Sequence, residues 1–72
     1  MSRLGSVKPR EFVRKLRRAG FAVDHQTGSH LVLYHPSGVR LVVPMHAREM
    51  KRGLLAALLK QAGLTVDAFQ AL

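Results

Sequence analysis

The sequence predicts an α+β fold of two layers, in which two helices pack on one face of a three-stranded antiparallel sheet in the order α-β-β-β-α. Three observations support this fold. Apolar residues recur at helical spacing over residues 9–19 and 49–62. Between these segments the apolar residues alternate, and two groups of turn-forming residues divide the stretch into three strands. Since neither a hairpin nor an amphipathic helix is stable alone, the helices should cover one sheet face and leave the other open.

The composition of the chain limits the classes of protein to consider. A length of 72 residues leaves room for a single domain, residues 1–72, with a modest core. An apolar share of 47% argues against disorder despite the net charge of +8. There is no cysteine, which excludes disulfides and thiolate metal sites and favours the cytoplasm. No stretch resembles a membrane span or a signal peptide, so we expect no membrane partner.

The excess of basic residues indicates a polyanionic partner. Twelve Lys and Arg stand against four Asp and Glu. Nucleic acid, an anionic membrane surface and an acidic protein all satisfy such a charge, and the first and third fit a soluble chain best.

The first helix is predicted over residues 9–19, because Pro9 suits the first helical position and Gly20 ends the periodic run. The side expected to pack carries Phe12, Val13, Leu16 and Ala19. The opposite side carries Arg10, Arg14 and Arg17. These arginines form the solvated face of the helix and are also candidate contacts for a nucleic-acid backbone. The first seven or so residues of the chain are expected to be frayed.

The middle of the chain is predicted to form three strands joined by tight turns. In order, these strands and turns fall at residues 21–26, 27–29, 30–35, 35–38 and 39–43. In the first strand, Phe21, Val23 and His25 should share one face. Pro44 lacks the N–H that a central strand requires, so we expect the third strand to end before it.

A second helix is predicted over residues 49–62. Its core positions are predicted to be Leu54, Leu55, Leu58, Leu59 and Ala62. Gly63 should cap its end, and Thr65 is a plausible N-cap for a last short turn in which Leu64 and Phe69 close over the core. The resulting two-layer arrangement resembles the double-stranded-RNA-binding fold, a likeness that by itself implies no activity.

A histidine placed at the end of a tight turn is the strongest functional feature of the chain. In Gly28-Ser29-His30, the glycine allows a tight bend, so a phosphate can approach the main-chain N–H groups, and Ser29 is a candidate to orient it. Metal-free RNA cleavage requires a base for the 2′-hydroxyl, positive charge for the transition state and an acid for the leaving oxygen. An imidazole titrates near neutral pH and suits the first task.

The second proton-transfer group is open between His46, His25, His35 and water. His46 is favoured, because it lies in a turn before a helix and not inside a strand. We expect no metal and no other cofactor, since the four acidic residues are scattered over different elements. A zinc site among the histidines would need a cross-strand pairing of side chains.

Lys51 stands where the second helix begins, a position that the helix dipole disfavours for a cation, and it is a candidate phosphate contact.

Three segments in order carry a resemblance to a known family. Gly28-Ser29-His30, Pro44-Met45-His46 and the run 53–64, which ends in Leu59-Lys60-Gln61-Ala62-Gly63-Leu64, resemble the HicA toxins of bacterial toxin–antitoxin systems. The resemblance extends from about Lys8 to Phe69. Ala47 stands where the family commonly has glycine after its Pro-x-His.

The resemblance implies a specific activity and specific partners. It implies an endoribonuclease that cleaves messenger RNA, with His30 as the catalytic residue, and a HicB-type antitoxin that masks it. Gly28, Ser29, Arg10, Arg14, Arg17 and Lys51 are then the candidate RNA-binding residues. Two other classes remain open: a non-catalytic module that binds double-stranded RNA by its shape, and a protein that acts only through an acidic partner.

Overall fold

A computed structural model describes residues 4–72 and confirms the predicted α+β architecture. The helices are α1 (Pro9–Arg18), α2 (Arg52–Ala62) and a short α3 (Val66–Gln70), and the strands are β1 (Ala22–Thr27), β2 (His30–Tyr34) and β3 (Arg40–Pro44). The sheet is antiparallel with the order β1-β2-β3, so β2 is central. Within residues 4–72, no helix has the length and apolar character needed to cross a membrane.

The core lies on one face of the sheet, as predicted. Leu33 is opposite Leu41 and Leu31 is opposite Val43, and all four side chains are buried. Because directly opposed residues point to the same side of a sheet, these four form its inner face. The buried residues that cover this face come from both long helices and the segments beside them: Phe12, Leu16, Phe21, Met50, Leu55, Leu58, Leu59 and Phe69.

Strand β1 departs from the predicted alternation because it contains a bulge. The register shifts between Val23 and His25, so Val23 lies opposite Leu33 on the inner face while His25 lies opposite Val32 on the open face. One extra residue in a bulged strand reverses the side on which later residues point. Phe21 is buried but precedes the strand. The three residues 21, 23 and 25 therefore do not share one face.

Pro44 belongs to β3, contrary to prediction. It is the last residue of the strand and lies opposite His30. The position tolerates proline because β3 is an edge strand, where a missing N–H costs no pairing on the outer side. The other strand boundaries and both ends of α1 lie within one residue of the predicted ones: α1 ends at Arg18, and β2 ends at Tyr34.

Helix α2 begins three residues later than predicted, at Arg52. The cause is a two-way backbone bridge, in which Val7 N–H donates to Met50 (3.1 Å) and Met50 N–H donates to Val7 (2.7 Å). An extended Met50 cannot belong to a helix. The same bridge shows that the expected fraying does not apply to Val7, and residues 1–3 lie outside the described part of the chain.

The end of the chain folds over the core as predicted, with one exception in α2. Gly63 ends α2 with a left-handed φ of 74°, and the Thr65 hydroxyl accepts a hydrogen bond from the N–H of Ala68. Phe69 is buried and Leu64 packs against the core. Leu54, predicted to be a core residue, is 40% exposed. The core side of α2 is filled by its neighbours, so this leucine faces outward.

Candidate active site

The turn between β1 and β2 places His30 at one end of the open sheet face. Gly28 has a φ of 57°, and among residues 4–72 only glycines have positive φ, so Ser29 has a negative one. These signs match the two-residue type II′ hairpin turn, which requires glycine at its first position. A Cβ on Gly28 would have no neighbour within 4 Å, so the space around this backbone is open. His30 follows directly and is exposed.

His46 is the residue that the fold brings to His30. Their ring centroids are 5.9 Å apart with an interplanar angle of 70°. His30 is opposite Pro44 in the sheet, and the Met45 N–H donates to the Ser29 carbonyl oxygen at 2.7 Å. The loop of His46 is thereby hydrogen-bonded to the turn that precedes His30. Both imidazoles are exposed to solvent.

The other two histidines have partners elsewhere. His25 lies on the open face and bonds through Nδ1 to Asp24 Oδ2 at 2.8 Å. His35 lies in the turn after β2, where its Nδ1 is 2.8 Å from the Ser37 hydroxyl and its ring packs on Phe21 at 5.0 Å. Of the candidates for the second proton-transfer group, only His46 forms a ring contact with His30. In the described chain, no group of three His, Asp or Glu side chains is arranged to hold a metal ion.

At the opposite end of the open face, Asp24, His25 and Arg40 form a hydrogen-bonded cluster. Asp24 Oδ2 accepts hydrogen bonds from His25 and from Arg40 Nη1, the latter at 2.8 Å. The hydrogen bond from His25, then that from Arg40, hold the pKa of Asp24 below its usual value. The Arg40 guanidinium also lies 4.9 Å from the centroid of the Tyr34 ring. Tyr34, at the edge of this cluster, therefore stacks with an arginine of its own chain.

Basic residues surround a hollow that is partly lined by the loop of His46. The hollow lies between the start of α1 and the loop after β3, and it is lined by Lys8, Pro9, Arg10, Met45, Ala47 and Arg48. Two of these, Met45 and Ala47, flank His46 in sequence. Of the predicted RNA-binding residues, Arg10 is the one found here. Sequence reasoning missed Lys8 and Arg48, although the position of Arg48 two residues after His46 was a usable signal.

A second hollow follows the exposed side of α1. It is lined by Arg10, Val13, Arg14, Arg17 and Arg18, so Arg10 is shared with the first hollow. Arg14 also pairs with Glu11 one turn earlier, and the hydrogen bond from Arg14 is the main cause that holds the pKa of Glu11 below its usual value. The predicted arginines thus share one surface.

Lys51 lies apart from both hollows. It is the exposed N-cap residue of α2, and its side chain makes no capping hydrogen bond. The structure therefore groups Arg10, Arg14 and Arg17 with each other but does not group Lys51 with them.

Comparison with protein families gives a match over most of the chain. A family model described as the HicA toxin of bacterial toxin–antitoxin systems matches residues 9–64. This range contains the Gly28-Ser29 turn, both paired histidines and five of the six residues that line the first hollow. A search of curated proteins found no match.

Proposed function

The chain belongs to the HicA toxin family of bacterial toxin–antitoxin systems, and from that premise we propose that it is a metal-independent endoribonuclease that cleaves messenger RNA, with His30 as its catalytic residue. The toxin role comes with the family. We further propose that an antitoxin of the HicB type masks this site in the cytoplasm, and that His46 is the second proton-transfer group.

One observation carries the catalytic proposal, namely the exposed imidazole pair with 5.9 Å between the ring centroids. RNA cleavage by its own 2′-hydroxyl needs one group that takes a proton and one that gives a proton at the same phosphate. Two exposed imidazoles near each other can fill both roles, one neutral and the other protonated. Their separation leaves them close enough to act on two oxygens of one phosphodiester.

The proposed step balances without a further reactant. One imidazole accepts the proton of the 2′-hydroxyl while that oxygen forms a bond to the adjacent phosphorus. The bond from phosphorus to the 5′-oxygen breaks, and the other imidazole gives its proton to that oxygen. The products are a 2′,3′-cyclic phosphate and a 5′-hydroxyl, and the two imidazoles have exchanged protonation states.

The surroundings of the pair support binding of a phosphate. The backbone at Gly28 is open to approach, and main-chain N–H groups in such a turn are donors for an anion. Ser29 is proposed to orient the phosphate from the same turn. Lys8, Arg10 and Arg48 supply positive charge next to the loop of His46. Positive charge there attracts the phosphate backbone of a strand that extends beyond the pair.

The decisive experiment uses purified protein and labelled single-stranded RNA in EDTA. The wild type should produce fragments ending in a cyclic phosphate, and His30→Ala should produce none while its thermal unfolding curve stays nearly unchanged. His25→Ala is the matched control, since it removes another exposed imidazole on the same sheet face but one that is bonded to Asp24. Cleavage by His30→Ala at the wild-type rate would refute the catalytic assignment. A gel shift without fragments from the wild type would instead indicate an RNA-binding module.

A growth assay tests the toxin role in cells. Expression of the wild type should arrest growth and expression of His30→Ala should not. Growth arrest by both proteins at equal expression would show that toxicity does not depend on the proposed cleavage.

A further inference from the structure

We propose that the hollow lined by Lys8, Pro9, Arg10, Met45, Ala47 and Arg48 is a subsite for the nucleotide next to the scissile bond of a single-stranded RNA. This inference rests on the proposed function and specifies how the substrate lies on the protein. The subsite binds the phosphate of that nucleotide through its cations and the face of its base through its apolar floor.

The three cations of the hollow are free of acidic partners within residues 4–72. None of the four acidic side chains forms an ion pair with these cations: Glu11 pairs with Arg14, Asp24 with Arg40, Glu49 accepts a hydrogen bond from Ser6, and Asp67 lies in α3. All three cations are exposed. A set of uncompensated positive charges around one concave surface attracts an anion, and a phosphodiester is the anion that the neighbouring histidine pair requires.

The three lining residues without charge, Pro9, Met45 and Ala47, have apolar side chains and are called here the floor of the hollow. Pro9 is buried, and Met45 and Ala47 are half-buried. Such a surface accepts the face of a base or ribose but cannot read a base edge, since sequence is read by hydrogen bonds. The polarisable thioether of Met45 suits contact with a flat aromatic ring. We therefore infer that this subsite discriminates little among the four bases.

The position of the hollow fixes its relation to the scissile bond. Met45 and Ala47 lie on either side of His46 in the chain, and the Met45 N–H is held by Ser29 at 2.7 Å. Neither imidazole lines the hollow, so we place in it the nucleotide next to the one whose phosphate meets the two imidazoles. Arg10 also lines the hollow along α1, so the next part of the strand can continue onto that helix.

A single strand fits this arrangement better than a duplex. A base can lie on the floor only if it is turned out of a helical stack, which single-stranded RNA permits and paired RNA resists. The acidic segment of a partner protein would satisfy the cations, but it would leave the apolar floor without a matching group. These two occupants predict different results.

The test compares substrates that differ only beyond the scissile bond. The shortest substrate is a dinucleotide in which one ribonucleotide is followed by one deoxynucleotide. The two longer substrates carry one further deoxynucleotide, at the 5′ end or at the 3′ end. We expect one extension to raise kcat/KM of the wild type, with similar gains for all four bases and a smaller gain for an abasic extension. Arg48→Ala and Lys8→Ala should lose that gain and still cleave the shortest substrate. Lys60→Ala removes the same charge from the exposed side of α2 and should retain the gain.

Binding provides a readout that does not depend on cleavage. An all-deoxy strand of the same sequence lacks the attacking hydroxyl, so its affinity can be measured by fluorescence anisotropy at several salt concentrations. Loss of one phosphate contact lowers the slope of log affinity against log salt by about 0.7 for a single strand. Arg48→Ala should show this reduction and Lys60→Ala should not.

Several results would overturn the subsite. One is that Arg48→Ala and Lys8→Ala match the wild type on every substrate and in the salt slope. Another is that they lose activity equally on the shortest and the extended substrates. If Arg48→Ala and Lys8→Ala lost binding to a short polyglutamate peptide but bound the deoxy strand like the wild type, the hollow would be assigned to an acidic protein. Failure of the proposed function is separate, because then the wild type cleaves no substrate, while the anisotropy measurement still decides whether the hollow binds a strand.

Discussion

The Met45 N–H donates to the carbonyl oxygen of Ser29 across 2.7 Å, and this hydrogen bond joins the loop of His46 to the turn that precedes His30. It extends the β2–β3 ladder one step beyond the pair His30 and Pro44. Because both partners are backbone groups, the spacing of the imidazoles depends on sheet register more than on the identity of the loop side chains.

The first prediction concerns the role of His46. If it exchanges a proton with substrate, His46→Ala should lower kcat by about 10²- to 10⁴-fold. The wild-type rate should depend on pH as a bell, because one imidazole must be neutral and the other protonated, and the variant should retain a single limb. Rate measurements across a pH series check both effects. A bell of unchanged shape in the variant would remove His46 from proton transfer, while the effect of His30→Ala would stand.

The second prediction contrasts two glycines. Gly28→Ala puts a side chain at a φ of 57° in the hairpin turn, which costs roughly 1–2 kcal/mol of stability even though the space is open. Gly53→Ala, near the start of α2, should stabilise by up to about 1 kcal/mol, since alanine favours helix and meets no neighbour within 4 Å there. Thermal unfolding should shift in opposite directions. A rise in Tm for Gly28→Ala would contradict the assigned turn.

The third prediction concerns stability in acid. Asp24 has a folded-state pKa below its usual value because of His25 and Arg40, so its contribution is present above the unfolded pKa and is lost as the pH falls through the folded one. Asp24→Asn should therefore destabilise the protein near neutral pH and flatten the acid side of its stability profile. Urea titrations at several pH values measure this.

Salt provides the control for that experiment. The cluster is exposed, so high ionic strength should reduce the difference between Asp24→Asn and the wild type. A difference that is independent of both pH and salt would assign the effect of the substitution to packing or to a local backbone change.

The fourth prediction concerns Phe69, which lies beyond the residues that match the family model. Its ring is buried and lies 5.6 Å from that of Phe12, and the Lys15 ammonium lies 4.9 Å from its centroid. Phe69→Ala should cost about 3–5 kcal/mol, a large share of the stability of so small a domain. Phe69→Leu should cost clearly less because it retains most of the volume. Chemical denaturation measures both, and near-equal stability of Phe69→Ala and the wild type would show that α3 is dispensable to the core.

Local patterns in the chain predicted most of the elements. The predictions that were wrong concern positions whose conformation depends on residues far away in the chain. The helical spacing of leucines predicted α2 but not its start, because pairing of Met50 with Val7 extends the backbone before Arg52. The alternation in β1 was predicted without its bulge, which depends on how the strand registers with β2. The exposure of Leu54 was also not predicted, since periodicity alone does not decide the exact direction in which a helix faces the core.

The sequence by itself determined the α-β-β-β-α order, the charge, the tight turn before His30 and the family, because these depend on residue type and on spacing over a few positions. Only the tertiary structure decided that His46, and not His25 or His35, lies beside His30, and that Lys8, Arg10 and Arg48 line one hollow. The physical reason is register. Residues far apart in the chain meet according to which backbone N–H pairs with which carbonyl, and a shift of one position would turn every side chain of a strand to the other face.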